Sequence, residues 1–380
     1  MFYLDHNATS CLRPQSRLAM EAALAVEGNA SSVHRWGRAA RALVEDAREA
    51  VATLVSARPE NVVFTSSGTE ANTLALWGAV LGCAKTGAPV ERLLVSAIEH
   101  DSVLSTAKHI AERMPDVCFA TLPVSSEGTM DVDALRSFLA GGGRTLVAVM
   151  AANNETGVVQ PIAEIVECVH AAGGLSVVDA VQSCGKNATD FVGADYLTVS
   201  AHKLGGPQGV GALVMQDNAP FAPVIRGGGQ ESNRRAGTEN VTGIAGFGAA
   251  AKFCAADDIG RLSELRDRFE AGLRQRFADA VIFGERAPRL PNTSCFALPG
   301  IAAETALIAL DLGGVMVSSG AACSSGKVRP SHVLQAMGVP TELARSALRI
   351  SLGWNSRAAD VEAALASLEK LAARVMRRAA

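Results

Sequence analysis

The sequence predicts an α/β protein: a large domain with a mostly parallel sheet covered by helices, followed by a smaller α+β domain. Through the first half of the chain, stretches with helical periodicity alternate with short apolar runs, which is the pattern of repeated βα units. The runs are apolar on both faces, as expected for parallel strands buried under helices. After about residue 252 the alternation ends, and a polar, arginine-rich stretch leads into shorter strand and helix signals.

The apolar runs predict strands, and the stretches with a period near 3.6 predict helices. Strands are expected at residues 62–65, 92–96, 117–122, 146–150, 175–178 and 196–199. Helices are expected at residues 39–55, 71–84, 102–114, 133–139, 162–172, 257–277 and 358–378. We expect residues 14–257 to form the large domain, and residues 1–13 together with 258–380 to form the small one.

Composition and charge exclude several classes of protein. The chain has 380 residues, with 35 lysines and arginines against 38 aspartates and glutamates, and 48% of its residues are hydrophobic. A disordered chain has fewer apolar residues and more net charge, and a general nucleic-acid binder has a basic surface. The first residues lack a signal-peptide pattern, and no stretch approaches the roughly 18 apolar residues that cross a bilayer. We therefore expect a cytoplasmic protein that binds neither nucleic acid nor membrane.

The eight cysteines form no CxxC pair, which argues against a structural zinc site, and no intrinsic metal is expected. They are also too sparse for a disulfide scaffold. Seven of them are interpreted as small buried hydrophobes. Cys323 differs because it lies in a run of serine, glycine and alanine with little to pack. That context favours a reactive thiol on a mobile loop.

Residues 66–70, SSGTE, follow one predicted strand and open a helix. Ser67 and Glu70 have the spacing of a capping box. The small residues Gly68 and Thr69 leave the first backbone N–H groups of the helix free for an anion, which the helix dipole also favours. The segment is either a phosphate-binding cup or an ordinary capped helix.

Polar residues also follow the later strands. His100 either points into the crevice in which α/β proteins bind ligands or is an ordinary hydrogen-bonded histidine. Residues 153–157, NNETG, contain Asn154 and form either a turn or a ligand-facing loop. Asp179 ends a buried run and needs a partner there, with Gln182 three residues later within reach of the same pocket. An Asx turn or a helix cap is the alternative for Asp179.

Lys203 ends the segment 200–203, SAHK, and four glycines follow it closely. A lysine buried beside a cofactor becomes a good imine-forming amine, whereas a solvated lysine has no such role. The solvated alternative is weaker here because the chain has only seven lysines and the neighbours are apolar or glycine.

These segments are expected to meet at one edge of the sheet, in the chain order phosphate cup, histidine, asparagine, aspartate and lysine. An acidic partner for a pyridinium nitrogen, an imine-forming lysine and a phosphate site at a helix terminus are what pyridoxal phosphate requires. The combination predicts a pyridoxal phosphate-dependent enzyme of fold type I, the aspartate aminotransferase fold type.

Nearly the whole chain, from residues 3–9 (YLDHNAT) to residues 348–353 (LRISLG), resembles the cysteine desulfurases, the group of NifS-like and IscS-like enzymes among the class V aminotransferases. The most specific segments are residues 200–207 (SAHKLGGP), 234–240 (RRAGTEN) and 318–326 (SSGAACSSG). The last segment resembles the active-site cysteine segment of the long-loop group.

The resemblance implies roles for the residues around the cofactor. Lys203 would be the Schiff-base lysine, and His100 would stack on the pyridine ring and act in proton transfer. Asp179 would pair with the ring nitrogen, and Gln182 with the ring hydroxyl. The residues implied around the phosphate are Gly68, Thr69, Ser200 and His202.

The resemblance also implies residues for the substrate, the partner subunit and the sulfur. Asn154 and Arg349 would hold the carboxylate of L-cysteine. Thr238 would reach the phosphate in the neighbouring subunit, which implies a homodimer. Cys323 would take the sulfur as a persulfide, release L-alanine, and pass the sulfur to an iron–sulfur scaffold or another acceptor protein. Any cluster shared between Cys323 and a scaffold would be transient.

The chain ends soon after the last predicted helix, without the tail by which IscS-like enzymes usually dock a cluster scaffold. This favours the NifS-like branch, which serves nitrogenase or another dedicated iron–sulfur pathway. Two alternatives stay open. A selenocysteine lyase or related aminotransferase would not need the thiol of Cys323, and a scaffold or sulfur carrier that keeps the fold without catalysis would form no imine at Lys203.

Overall fold

The computed structural model of the chain describes residues 1–187, 193–255, 257–319 and 330–379. The strands are β1 (Phe2–Tyr3), β2 (Val62–Thr65), β3 (Arg92–Ser96), β4 (Cys118–Leu122), β5 (Thr145–Met150), β6 (Leu175–Asp179), β7 (Tyr196–Ser200), β8 (Gly211–Met215), β9 (Val281–Ile282), β10 (Thr293–Ala297), β11 (Val315–Met316), β12 (Ser318–Ser319) and β13 (Ala347–Ser351). The helices are α1 (Pro14–Leu24), α2 (Arg35–Leu54), α3 (Gly68–Lys85), α4 (Asp101–Arg113), α5 (Val132–Ala140), α6 (Ile162–Ala171), α7 (Val241–Cys254), α8 (Ile259–Arg276), α9 (Ala303–Leu312), α10 (His332–Ala336), α11 (Thr341–Ala344) and α12 (Ala358–Ala379).

Within the described residues, seven strands form one sheet in the order β2-β8-β7-β6-β5-β3-β4. Strands β4, β3, β5, β6 and β7 pair in parallel, whereas β8 runs antiparallel to both β2 and β7. The predicted α/β class with a mostly parallel sheet is confirmed. Because β2 and β7 both oppose β8, they point the same way. The carboxyl ends of β2, β3, β5, β6 and β7 therefore lie at one edge of the sheet.

Both faces of this sheet are buried, as the apolar runs require. Leu93 and Val95 of β3 pack in a core with residues of α3 and α4, whereas Leu94 packs in a second core with residues of α2, α6 and α7. Alternate side chains of a strand point to opposite faces, so a strand covered on both sides is apolar at every position. The helices therefore cover both faces of the sheet. Polar residues lie in the loops at the strand ends.

The C-terminal part forms a second sheet. In the described chain it has four antiparallel strands in the order β12-β13-β10-β9. The first strand, β1, pairs with β11, and Asp5 forms a bridge with Ser351 at the end of β13. These pairings bring the N-terminal residues beside Arg349, which lies on β13. The domain boundaries predicted from the sequence stay a prediction.

None of the helices in the described ranges is long and apolar enough to span a membrane.

Candidate active site

A cavity of about 420 Å³ lies at the carboxyl edge of the large sheet. Ten of the predicted site residues line it: Gly68, Thr69, His100, Asn154, Asp179, Gln182, Ser200, His202, Lys203 and Arg349. They come from five strand ends of the large sheet and from β13 of the second sheet. The structure thus brings together segments that are far apart in sequence, while the roles of the individual residues stay predictions.

One end of the cavity is formed by the start of α3. Ser67 is the N-cap, and its Oγ accepts a hydrogen bond from the Glu70 N–H at 3.1 Å. The second half of the predicted capping box is wrong by one residue, because the Glu70 carboxylate accepts from the Ser66 N–H at 2.8 Å. Arg235 Nε, 2.8 Å from Glu70 Oε1, holds that carboxylate from the other side. The helix is therefore firmly capped, and its first N–H groups have no partner within the helix.

Ser200 lies directly behind this helix start. Its Oγ is buried and has no hydrogen-bond partner among the described residues. A Cβ on Gly68 would lie 3.0 Å from Val181 Cγ2 and 3.4 Å from Ser200 Cβ, so glycine allows this close approach. Buried hydroxyls are normally hydrogen-bonded. An unpaired hydroxyl beside free N–H groups at a positive helix end is therefore suited to an anion.

A directional hydrogen-bond chain joins Asp179 to His100. Asn72 Nδ2 donates to Asp179 Oδ2 at 2.8 Å and to Ser102 Oγ at 3.0 Å. Asn72 is oriented by Thr198 Oγ1, which donates to its Oδ1 at 2.6 Å. Ser102 in turn lies 2.8 Å from His100 Nδ1, which also accepts the Ser102 N–H at 3.1 Å. Because Nδ1 accepts, the proton of the neutral imidazole lies on Nε2.

Asp179 is 6% exposed, and its other oxygen accepts from the Val181 N–H at 2.9 Å. Both hydrogen bonds fix the orientation of the carboxyl group. The cavity wall thus presents an oriented carboxylate at the end of β6.

Lys203 is held against two backbone carbonyls. Its Nζ donates to the oxygen of Asn7 at 2.6 Å and to that of Ala8 at 2.8 Å. Burial, and then the positive charge of Arg349, lowers the pKa of Lys203 to about 8, although Asp5 and Asp179 oppose the shift. A much larger share of this amine than of an ordinary lysine is therefore neutral near physiological pH, and the neutral form is the one that attacks a carbonyl.

His202 also lines the cavity, with Nδ1 3.2 Å from Thr9 Oγ1. Burial and the nearby Lys203 charge lower its pKa to about 4. His202 is therefore neutral at pH 7 and takes part in the cavity through hydrogen bonds and not through charge.

Arg349 is a buried guanidinium whose donors are only partly used. Nη2 donates to Asp5 Oδ1 at 2.6 Å, and Nη1 donates to the Asn154 carbonyl at 2.9 Å. Nε is buried without a partner among the residues that the structure describes. A fixed fork with an unused donor at the cavity wall is suited to a carboxylate.

Comparison with known proteins identifies the family. The profile of the aminotransferase class-V family matches residues 2–364. A cysteine desulfurase of Cereibacter sphaeroides is 44% identical over 366 residues, which are 95% of this chain and 92% of that protein. The chain belongs to the cysteine desulfurase family. The cysteine desulfurase IscS of Dictyoglomus turgidum is 39% identical over 97% of this chain and 94% of its own length. A solved NifS-like protein from Rickettsia africae has a TM-score of 0.86 and 34% identity, covering 98% of this chain and 99% of its own.

Cysteine desulfurases depend on pyridoxal phosphate, act on cysteine and pass sulfur to acceptor proteins. The cavity fits that cofactor on three observations. The unpaired Ser200 hydroxyl and the α3 N-terminus suit a phosphate, the Asp179 carboxylate suits a protonated ring nitrogen, and the Lys203 amine suits an aldehyde. The predicted cofactor and family are thus in agreement with the comparisons and with the cavity.

Two predicted desulfurase residues are not among the described residues that line the cavity. Cys323 falls in residues 320–329, outside the described residues, although Ser318 and Ser319 just before this segment line the cavity. Thr238 is exposed and is not part of the cavity wall formed by the described residues of this chain. Neither role is tested by the geometry.

The sequence-based prediction missed four polar residues that connect the site: Asn7, Asn72, Ser102 and Lys186. Asn7 is 1% exposed, and its backbone oxygen accepts from both Lys203 Nζ and Gln182 Nε2. Its side chain donates to the Asn154 carbonyl at 3.2 Å. The available signals were an asparagine within the apolar helix α3, a serine two residues after His100, and a lysine four residues after Gln182.

Proposed function

We propose that this cysteine desulfurase removes sulfur from L-cysteine in the described cavity and carries it away on Cys323. The observation that supports this most directly is the convergence in one cavity of an amine with a lowered pKa, Lys203, an oriented carboxylate, Asp179, and a buried fork, Arg349. We therefore divide the predicted residues between a cofactor end and a substrate end of this cavity.

At the cofactor end, the chain supplies a clamp and proton donors. Bound pyridoxal phosphate supplies an electron sink for negative charge at the substrate Cα. Asp179 keeps a proton on the ring nitrogen, because its carboxylate is fixed by Asn72 and the Val181 N–H. Lys203 would hold the cofactor through its amine and, as a neutral amine, would accept the proton from the substrate Cα. His100, with its proton on Nε2, would hold and move a proton at that atom beside the cofactor.

The α3 N-terminus with Gly68 and Thr69, together with Ser200 and His202, binds the phosphate. Gln182 binds the ring hydroxyl through an amide N–H. Each of these groups is placed to donate a hydrogen bond, which is the requirement of an anionic ligand.

At the substrate end, Arg349 and Asn154 bind the carboxylate of L-cysteine. The Arg349 fork is already held at two points by Asp5 and the Asn154 carbonyl, so little side-chain freedom is lost when a carboxylate binds. A planar fork matches a carboxylate better than a lysine ammonium does. This arrangement selects α-amino acids and orients the Cβ–S bond.

The sulfur step then belongs to Cys323. Its thiolate attacks the substrate sulfur, an S–S bond forms, and the Cβ–S bond breaks with its electron pair left on the carbon. That carbon takes up a proton, so the products are L-alanine and a Cys323 persulfide. The substrate sulfur is oxidised and Cβ is reduced, and no external oxidant is needed.

We further propose a homodimer in which Thr238 binds the phosphate in the neighbouring subunit. Thr238 is exposed and does not line the described cavity of its own chain, which supports a role in another copy. Mixing a Lys203→Ala subunit with a Thr238→Ala subunit tests this. Mixed dimers should contain one site that lacks both substitutions and one that has both, so part of the activity should return only on mixing.

The sulfur is proposed to serve iron–sulfur cluster assembly in the cytoplasm, including a dedicated pathway such as that of nitrogenase. A reducing compartment keeps the thiols of such an enzyme free, and the seven cysteines outside the undescribed segment are all unpaired. Residues 14–257 are proposed as the cofactor domain, and the remaining residues as the domain that brings Cys323 and Arg349 to it.

The deciding experiment supplies L-cysteine, together with dithiothreitol as the thiol that reduces the persulfide to sulfide, to the purified holoenzyme and to Cys323→Ala. Wild type should release alanine and sulfide, and the variant should release neither. Mass spectrometry after borohydride reduction should locate the cofactor on Lys203. Equal rates from both proteins would remove Cys323 from the mechanism and favour a lyase that needs no protein thiol, whereas no label on Lys203 would exclude its proposed role.

A further inference from the structure

A short helical turn after β6 places a second lysine beneath the cavity. Backbone hydrogen bonds from Cys184 to Ala180 and from Asn187 to Ser183 close the turn at 2.9 and 3.0 Å. Lys186, at 9% exposed, lies next to Gln182, with its Nζ 3.1 Å from Gln182 Oε1. Gln182 is 5% exposed and lines the cavity.

The turn is held tightly against the rest of the molecule. Gly185 has φ +69°, and a Cβ there would lie 2.8 Å from Cys254 Sγ. Glycine meets both requirements, because it adopts positive φ without strain and leaves room for the sulfur. Lys186 is consequently directed inward by backbone geometry.

Lys186 is buried among neutral partners. Its Nζ donates to Gln182 Oε1 at 3.1 Å and lies 3.4 Å from Asn7 Oδ1. Within the described ranges it forms no ion pair with a carboxylate. Burial, and then the charges of Lys203 and Arg349, lowers its pKa to about 7. An amine buried in this way is destabilising, so its position beside the cofactor cavity calls for a functional reason.

The contacts of Gln182 supply that reason. The charged ammonium of Lys186 offers only N–H donors, so the amide oxygen of Gln182 faces Lys186. On the opposite side, Gln182 Nε2 donates to the Asn7 carbonyl at 2.9 Å. The reversed amide would place oxygen against oxygen at Asn7 and a donor against a donor at Lys186. One orientation therefore satisfies both neighbours, and it leaves the second Nε2 hydrogen without an acceptor among the described residues.

We infer that Lys186 is a positioning residue for the cofactor: by donating to Gln182 Oε1, it fixes the Gln182 amide so that its free N–H serves an oxygen acceptor in the cavity. The inference rests on the proposed role of Gln182 at the ring hydroxyl. Lys186 itself contacts no ligand and acts through Gln182. The ligand atom that fits this N–H is a phenolate-type oxygen on an aromatic ring. Such an oxygen accepts a hydrogen bond from Gln182 Nε2, and it has no hydrogen to donate to Gln182 Oε1.

A double-mutant cycle with Lys186→Met and Gln182→Met tests this. Methionine matches the length and volume of either side chain and removes the hydrogen bond. Apo forms of wild type, both single variants and the double variant are titrated with pyridoxal phosphate, and the dissociation constant, the visible absorption band and the pH midpoint of that band are measured. Lys186→Met should weaken binding about threefold to tenfold, the size expected for one hydrogen bond, and should shift the band in the same direction as Gln182→Met.

The decisive result is non-additivity. In the Gln182→Met background, Lys186→Met should change neither the dissociation constant nor the absorption band further. An equal effect of Lys186→Met in both backgrounds would overturn the inference, because a merely structural lysine does not act through Gln182. Lys252→Met, an exposed lysine on α7, is the matched control and should bind like wild type.

Two failures are distinguishable. If Gln182→Met binds the cofactor with unchanged affinity and absorption, the proposed role of Gln182 is wrong. If Gln182→Met alters both and Lys186→Met alters neither, Gln182 keeps its role and only the inference about Lys186 is wrong. Circular dichroism of each apo variant establishes that the comparison is made on folded protein.

Discussion

Replacing Arg349 with glutamine should raise the pKa of Lys203. Burial and then the Arg349 charge lower that pKa from 10.5 to about 8, and Asp5 and Asp179 act in the opposite direction. The Arg349→Gln substitution removes the positive charge that lowers the pKa of Lys203, but it leaves the amine buried. The midpoint should therefore rise above 8 without reaching the value of a free lysine.

The size of the effect follows from the neutral fraction of the amine. At pH 8 about half of Lys203 is neutral, whereas a lysine with a pKa of 10.5 is about 0.3% neutral at the same pH. Lys203 should thus react about 150-fold faster than an unperturbed lysine of equal accessibility. Below the midpoint, each unit by which Arg349→Gln raises the pKa should slow the reaction tenfold.

Competitive acetylation of the apo protein measures this directly. The protein is labelled with acetic anhydride from about pH 6 to about pH 11, and peptide mass spectrometry reports the labelled fraction of each lysine. The exposed lysines Lys85 and Lys108 serve as internal references for reagent decay and for intact folding. Asp5→Asn is the variant of opposite sign, because it removes an anion near Lys203 and also frees the charge of Arg349.

The two variants make the reasoning refutable. Arg349→Gln should move the Lys203 midpoint up, and Asp5→Asn should move it down. A wild-type midpoint equal to that of the exposed lysines would show that burial and charge do not act on Lys203 as described. Movement of both variants in the same direction would show that the charges of Asp5 and Arg349 do not control the amine.

Three further outcomes are expected. Gly68→Val should weaken pyridoxal phosphate binding in a fluorescence titration, because its side chain would press on Ser200; unchanged affinity would contradict the close approach at the α3 start. Glu231→Gln should lower the free energy of unfolding by about 1.5 to 3 kcal/mol in a urea titration, because buried Arg48 loses its buried charge partner, 2.7 Å away, and keeps, among the described residues, only the partly exposed Glu45; a loss within the range of a surface substitution would argue against a buried pair. The apo protein should become more stable as pH rises from about 8 to about 10.5, because the unfolded state keeps a proton that folded Lys203 has lost; an identical slope in Lys203→Met would refute this.

The sequence predicted the parallel strands closely because burial on both faces leaves a clear apolar signal. The strands predicted at residues 62–65 and 92–96 match β2 and β3, and the other four differ from the structure by one residue at one end. In contrast, β8 was not predicted. It begins at Gly211, the last of the four glycines behind Lys203, and those glycines were interpreted as a close approach to a cofactor. The sheet thus contains, between β2 and β7, an antiparallel strand that periodicity alone does not separate from a loop.

Local rules also failed where distant residues intervene. The spacing of Ser67 and Glu70 correctly predicted the N-cap, but the Glu70 carboxylate bonds to Ser66 and pairs with Arg235, which lies far along the chain. A capping box describes only the four residues of the motif. The charge partner that redirects Glu70 becomes visible only in the folded structure.

The network under the cavity shows the same limit at larger scale. Asn7 enters from the first strand region and hydrogen-bonds Lys203, Gln182 and the Asn154 carbonyl, which follow three different strands of the large sheet. None of these pairs is close in sequence, and asparagine carries no charge pattern that would mark it. Each bond is short only because β1 pairs with β11 and Asp5 bridges to β13, which fixes the N-terminal segment over the strand ends. The site residues on the strands could therefore be predicted from where strands stop, whereas the contacts of Asn7 depend on how the second sheet is placed against the first. Lys186 lies only four residues from Gln182, and its contact with that side chain depends on the turn after β6.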